Sequence, residues 1–274
     1  MDRPSAKRHE TSEGQDGALI RFANVSKRFS LEGGEMTAVS DVSLDVRGGE
    51  IITLVGPSGC GKSTLLNMTA GLFQPSEGTV FYEGKVLSGL NLQVGYMTQS
   101  DHLLPWRTVF GNIVAPLEIR RMGKAAARER VESLLETVGL QGFGGSYPNQ
   151  ISGGMRKRTA LARLLAYDPQ TLLMDEPFGA LDALLRLRLQ VELRILARRL
   201  KKTVLFVTHD LEEAVALGDR CAVFSARPGR IISIVTIPLP EDRDLMQLRY
   251  NADFTRTCAD LWSLLSSELA RSGT

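Results

Sequence analysis

The sequence predicts an α/β fold built on a mostly parallel sheet, and three observations carry that expectation. Near-continuous apolar runs of strand length recur at residues 51–55, 171–174, 203–207 and 221–224. Stretches of helical period, such as residues 184–200 and 211–217, alternate with them. Strands apolar on both sides belong in a parallel sheet that helices cover on both faces. The third observation is a glycine-rich loop at residues 56–64, set between the run 51–55 and the helix-like start Leu65-Leu66-Asn67-Met68.

The elements follow in order. Residues 1–17 are rich in Ser, Glu and Gly and read as a disordered tail. Folded sequence begins with an expected strand at 18–22, with 25–29 following. Residues 38–46 alternate apolar and polar side chains, a half-exposed strand, and Gly48-Gly49 turns the chain into 51–55. Beyond the loop and its helix, residues 74–78 break the chain, and 79–82 and 94–97 are expected strands. From about 105 to 166 the pattern is helical: Val131, Leu134, Leu135 and Val138 keep a 3.6-residue spacing. This segment reads as a helical lobe inserted into the αβ core. Residues 231–237 add an edge strand, and 245–269 read as one or two terminal helices whose role periodicity leaves open between packing, dimerisation and regulation.

Composition bounds the function. The chain of 274 residues is 43% hydrophobic and 23% charged, ordinary for a globular protein. A net charge of +2 gives no electrostatic case for nucleic acid, and the basic residues 194–202 read as a solvated helix face. Cys60, Cys221 and Cys258 are far apart and match no metal or disulfide spacing. No apolar run approaches the length of a membrane span, and the first residues lack the apolar core of a signal peptide.

The chemistry starts at Gly56-Pro57-Ser58-Gly59-Cys60-Gly61-Lys62-Ser63-Thr64. Strand, glycine loop, Lys-Ser and helix in that order form a phosphate-binding loop. Glycines let successive N–H groups turn toward one anion, and the helix N-terminus adds free donors. Lys62 supplies a point charge for β- and γ-phosphates, and the Ser63 hydroxyl suits Mg²⁺. A second motif, Asp175-Glu176, ends the apolar run 171–174. Asp175 fits a carboxylate that organises Mg²⁺, directly or through water, and Glu176 a group that deprotonates the attacking water. A third, Ser152-Gly153-Gly154, opens a helix with an N-cap and exposed donors, a second anion-binding helix terminus in one chain.

Taken in order, residues 56–64, Gln99, Ser152-Gly153-Gly154, Asp175-Glu176, Leu181-Asp182 and His209 resemble the ATPase subunit of ATP-binding cassette (ABC) transporters over residues 18–230. The resemblance implies a P-loop NTPase cassette: a mostly parallel core sheet, an antiparallel β subdomain and a helical subdomain at about 105–166. It implies a head-to-tail dimer of two copies with two ATP molecules sandwiched between them. Each nucleotide would touch the phosphate loop of one copy and Ser152-Gly153-Gly154 of the other. By the same resemblance Phe29 stacks on adenine, Gln99 reaches Mg²⁺ and the attacking water, Glu176 is the general base, and His209 senses the γ-phosphate. A core aromatic at Phe29, a surface residue at Gln99 and a capping or core histidine at His209 are the alternatives. Ile151 and Met155 stand where the commonest signature, Leu-Ser-Gly-Gly-Gln, has its ends; a methionine cannot donate the hydrogen bond of a glutamine amide.

Leu103-Leu104-Pro105-Trp106-Arg107-Thr108-Val109 and Ser225-Ala226-Arg227-Pro228-Gly229-Arg230 look like the ATP subunits of bacterial importers for nitrate, sulfonates, taurine and pyrimidine-type vitamin precursors. This branch implies a peripheral protein on the cytoplasmic face of the cell membrane. Its partners are an integral-membrane permease docked through the Gln99–Trp106 region and, indirectly, a periplasmic or extracellular solute-binding protein. The alternative for Trp106 is a core anchor of the helical region. The rival function is a soluble ABC ATPase acting on nucleic acid or ribosomes, which the absence of tandem cassettes and coiled-coil inserts disfavours.

Overall fold

The computed structural model describes residues 17–32, 34–179 and 181–272. The tail expected at 1–17 lies, apart from Gly17, outside them. A six-stranded sheet forms the centre, in the order β10-β9-β3-β8-β7-β6. Its strands are β3 (Ile51–Val55), β6 (Val94–Met97), β7 (Thr171–Asp175), β8 (Thr203–Val207), β9 (Arg220–Phe224) and β10 (Ile231–Thr236). β6, β7, β8, β3 and β9 run parallel, and β10 closes one edge antiparallel to β9.

The central strands are buried throughout, and their alternate residues feed two separate cores. Ile52, Leu54, Leu173, Leu205, Ala222 and Phe224 face α1 (Lys62–Thr69) and a four-stranded antiparallel sheet. That sheet contains β1 (Ala18–Leu31), β2 (Gly34–Arg47), β4 (Glu77–Tyr82) and the two-residue β5 (Lys85–Val86), in the order β2-β1-β4-β5. The expected strands 18–22 and 25–29 are thus one ribbon, bent by register shifts between Phe22 and Lys27. Neither the length of this ribbon nor β5 shows in the apolar pattern, because antiparallel pairing with one face in water needs only alternation.

Ile51, Val55, Leu172, Met174, Val204, Phe206 and Val223 face the other way, into a core shared with the remaining helices. These are α2 (Val109–Ile119), α3 (Lys124–Thr137), α4 (Gly153–Ala166), α5 (Ala183–Arg199), α6 (Leu211–Leu217) and α7 (Ala252–Ser272). Thr108, Ser152, Asp182 and Asp210 each cap a helix by accepting a backbone N–H from its first turn. The terminal segment is not loose: Leu245, Leu248, Phe254 and Leu261 are buried in this same core.

The basic end of α5 departs from expectation. Arg194 is 3% exposed and Lys202 8%, whereas Arg199 and Lys201 stay exposed as expected, so the solvated face covers only part of this run. Arg194 donates to Leu217 O, and to Glu241 O at 2.9 Å, while Arg198 pairs with Asp219. Arg243 adds a donor to Ala216 O at 2.9 Å and another to Gly218 O. The final carbonyls of α6 have no partner within their own helix, and arginines from α5 and the terminal segment supply donors there. Among the described residues no helix is long and apolar enough to cross a membrane.

Candidate functional site

The phosphate loop, Gln99, Asp175-Glu176 and His209 follow the carboxyl ends of β3, β6, β7 and β8. Parallel strands bring their carboxyl ends to one edge of the sheet, where open α/β sheets bind ligands. A cavity of about 530 Å³ opens there. Its walls include Phe29, Ser58, Gly59, Gly61, Lys62, Ser63, Thr64, Gln99, Asp175, Glu176 and His209, so most of the residues singled out in the sequence meet at one place. Of the remaining loop positions, Gly56 and Pro57 turn carbonyls toward Lys62, and Cys60 is buried, 1% exposed. Ser152, Gly153 and Gly154 do not line this cavity.

The loop owes its shape to glycine. Gly59 and Gly61 sit at φ +74° and +98°, a region that side chains rarely tolerate. A Cβ at Gly61 would lie 2.4 Å from Val39 Cγ1 and 2.8 Å from Ala38 O. Lys62 Nζ donates to Gly56 O at 2.7 Å and Pro57 O at 2.9 Å, and lies 3.6 Å from Cys60 Sγ. The ammonium is therefore folded across the loop in this structure, 5% exposed.

The carboxylates line the same cavity. Burial pushes the Asp175 carboxyl above its usual range, against the lowering effect of a hydrogen bond from Ser63. Ser63, Asp175 and the Gln99 amide thus lie on the same cavity. These are hard oxygen donors around a carboxylate for which ionisation is costly, which is the donor chemistry Mg²⁺ takes when phosphates complete its shell. Among the described residues no group of three or more His, Cys, Asp or Glu is placed to hold a metal ion by itself.

Glu176 sits at φ +46°, its N–H bonded to Val207 O at 3.0 Å. That left-handed turn breaks away from β7 and aims the side chain into the cavity instead of along the sheet. Its Oε2 is 3.3 Å from His209 Nδ1 and 3.5 Å from Gln99 Nε2. A carboxylate flanked by an imidazole and an amide can accept a proton from a water and hold that water in line.

Phe29 is half-buried on the mouth of the cavity, paired across the β1–β2 ribbon with Met36. Its ring stands edge-on to Phe73 at 5.5 Å, and Lys27 Nζ lies 5.3 Å from its centroid. Trp106 is 71% exposed, which removes the core-anchor alternative.

Three cationic residues of α4 bind the Gln99 loop, and their types carried no motif to reveal it. Lys157, 8% exposed, donates to Gln99 O; Arg156 pairs with Asp101 at 3.1 Å; Arg163 donates to Asp101 O and His102 O at 3.0 and 2.9 Å. Burial lowers the Lys157 and Arg163 pKa values. The helix that Ser152 caps is thus fastened to the loop that presents Gln99. Similarly, Arg186 links Leu181 O, at 3.1 Å, to Asp210, at 3.4 Å, joining the Leu181-Asp182 segment to the residue after His209.

The fold and this cavity define a P-loop nucleotide-hydrolase cassette. The family model described as "ABC transporter" matches residues 39–179. With its relatives, that match shows that the chain belongs to the ABC transporter family, as an ATP-hydrolysing subunit of importer type. An uncharacterized ABC transporter ATP-binding protein of Methanocaldococcus jannaschii is 43% identical over 253 residues, covering 92% of this chain and 93% of the relative. The aliphatic sulfonates import ATP-binding protein SsuB of Bacillus licheniformis is 44% identical over 217 residues, covering 79% of this chain and 84% of its own. The taurine import ATP-binding protein TauB of a Jannaschia species is 40% identical, covering 91% and 94%. Among solved structures, a dimeric ATP-binding cassette in a post-hydrolysis state bound to ADP and Pi matches with a TM-score of 0.74 and 30% identity. That match covers 81% of this chain and 100% of the other. None of these relatives is described as acting on nucleic acid, and the rival reading gains no support.

Proposed function

We propose that the chain binds MgATP in the cavity at residues 56–64 and dimerises over it. Its hydrolysis energises uptake of a small solute, of the sulfonate or taurine type, through a separate permease. The observation that carries this reading is a division of motifs. Lys62, Ser63, Gln99, Asp175, Glu176 and His209 converge on one cavity, whereas Ser152-Gly153-Gly154 lies outside it. Two anion-binding termini on one chain then serve two nucleotides, each closed over by the second copy. The dimeric cassette bound to ADP and Pi supports that arrangement for this fold.

In this reading Phe29 stacks on adenine, and the loop N–H groups and Lys62 hold the phosphates once Lys62 releases Gly56 O and Pro57 O. Ser63, Asp175 and Gln99 hold Mg²⁺, which neutralises phosphate charge when bound. Glu176 takes the proton of the attacking water, with Gln99 and His209 fixing its direction. The permease docks beside the Gln99 loop. A cleft of about 360 Å³ lined by Tyr96, Ser100, Asp101, Ile119, Arg163 and Tyr167 lies there, and Ile119 is 82% exposed. Exposed apolar surface of this kind is used by partners. The chain works from the cytoplasmic face, where ATP is found.

The test is Glu176→Gln, which keeps shape and removes the base. Turnover falls about a hundredfold or more, the scale of a lost general base. ATP then holds the chain as a dimer in size-exclusion chromatography. Turnover within threefold of wild type, or a monomer in saturating MgATP, overturns the reading.

A further inference from the structure

One cation on the cavity wall has no part in the chemistry above. Arg227 lines the cavity beside Phe29, Met36 and Gly59, and its side chain is exposed. Its Nε donates to Gly59 O at 3.0 Å, and Nη1 lies 3.1 Å from Met36 Sδ. Nη2 has no hydrogen-bond partner among the described residues, and Arg227 forms no ion pair among them. The guanidinium lies directly on the phosphate loop: a Cβ at Gly59 would be 2.8 Å from Nη2. The Nε donor is committed to the Gly59 carbonyl, while Nη2 and the charge remain for the cavity.

The segment carrying Arg227 is held rigidly. Gly229 N donates to Ala38 O at 2.9 Å, and Gly229 O accepts from Ser40 N at 3.0 Å. A Cβ at Gly229 would stand 1.8 Å from Cys60 O, so only glycine lets this segment lie against the back of the phosphate loop. The Ser225 hydroxyl accepts from Arg230 N at 3.0 Å and closes the turn. A cation presented on a fixed turn loses little freedom when a ligand arrives.

Position sets the ligand group. Glu176, His209 and Gln99 cluster on one part of the cavity wall, where the terminal phosphate reacts in this reading, and Phe29 with Met36 forms another part. Arg227 bridges Gly59 to Met36 and so stands where the phosphate loop meets the Phe29–Met36 wall. We infer that Arg227 is a nucleotide-binding residue whose guanidinium takes oxygens of the α- and β-phosphates beside Gly59. This rests on the ATP-site reading above.

The test uses the full chain and isothermal titration with MgADP, which carries the α- and β-phosphates alone. Arg227→Met keeps the apolar stem over Gly59 and removes the charge. Its Kd rises about tenfold, the weight of a charge-assisted contact discounted for exposure. Arg227→Lys restores the charge and binds within about threefold of wild type, and the gap between wild type and Arg227→Met narrows as salt rises. In ATP hydrolysis KM rises far more than kcat falls. If Arg227→Met binds MgADP within twofold of wild type, the inference is wrong while the ATP-site reading stands. If Arg227→Lys is as weak as Arg227→Met, with folded melting curves for both, Arg227 only shapes the loop and the inference is again wrong. A wild-type chain that binds no MgADP overturns the ATP-site reading itself, and this inference with it.

Discussion

Replacing Arg243 with methionine tests how the terminal segment is joined to the cassette. Arg243 is 8% exposed and gives two hydrogen bonds to the end of α6, to Ala216 O and Gly218 O. Hydrogen bonds from a charged donor are worth about 1.5–3 kcal/mol each, so the gross loss is about 3–6 kcal/mol. Two effects oppose it. Burial, with Arg194 close by, pushes the Arg243 pKa down to about 9, so its charge is costly in place. Methionine also retains most of the apolar stem. Buried charges replaced by apolar groups often cost little, but here the carbonyls of Ala216 and Gly218 remain and lose their donor. The loss therefore outweighs the relief, and the net is about 2–3 kcal/mol. At roughly 2–4 °C per kcal/mol for a chain of this size, melting falls by about 5–10 °C. Circular dichroism on the nucleotide-free chain reads it directly. A fall under about 1 °C would show that the α6 carbonyls are satisfied without Arg243, and the account of this junction would be wrong.

Two further outcomes follow from the same surfaces. Trp106→Ala leaves the melting temperature within about 1 °C, because an exposed side chain contributes little to folding, and abolishes co-purification with the cognate permease. Unfolding of the isolated variant would instead place Trp106 in the core. Burial raises the Glu213 carboxyl above its ordinary 4.5, despite hydrogen bonds from Thr208 and Gln190. The folded state then binds more protons than the unfolded one between 4.5 and the raised value, so this group adds stability as pH falls through that window. Wild type therefore gains on Glu213→Gln in denaturant titrations as pH drops from about 7 toward 5; a gap constant with pH refutes the assignment.

Much of this protein was legible from residue order. Strand, glycine loop and Lys-Ser can only be built one way, because the loop N–H groups must converge and only glycine reaches positive φ there cheaply. Apolar runs 51–55, 171–174 and 203–207 announced buried parallel strands. Asp175-Glu176 pointed to the site because a strand end beside a phosphate loop is where a metal-organising carboxylate is needed, whereas His209 came only from the family resemblance. What residue order left open was whatever depends on partners distant in the chain. The β1–β2 ribbon takes its length from pairing, not from periodicity. Arg194 looked like a solvated helix residue until the last carbonyls of α6, more than twenty positions away, needed donors. Lys157 carried no motif, yet it holds Gln99.

The phosphate loop and its carboxylates were thus fixed by local chemistry that the sequence states outright. The placement of Arg227 over Gly59, of Trp106 in solvent and of the terminal segment on α6 was decided by tertiary packing. Long polar side chains choose among distant acceptors, and only the folded chain says which backbone groups lack one.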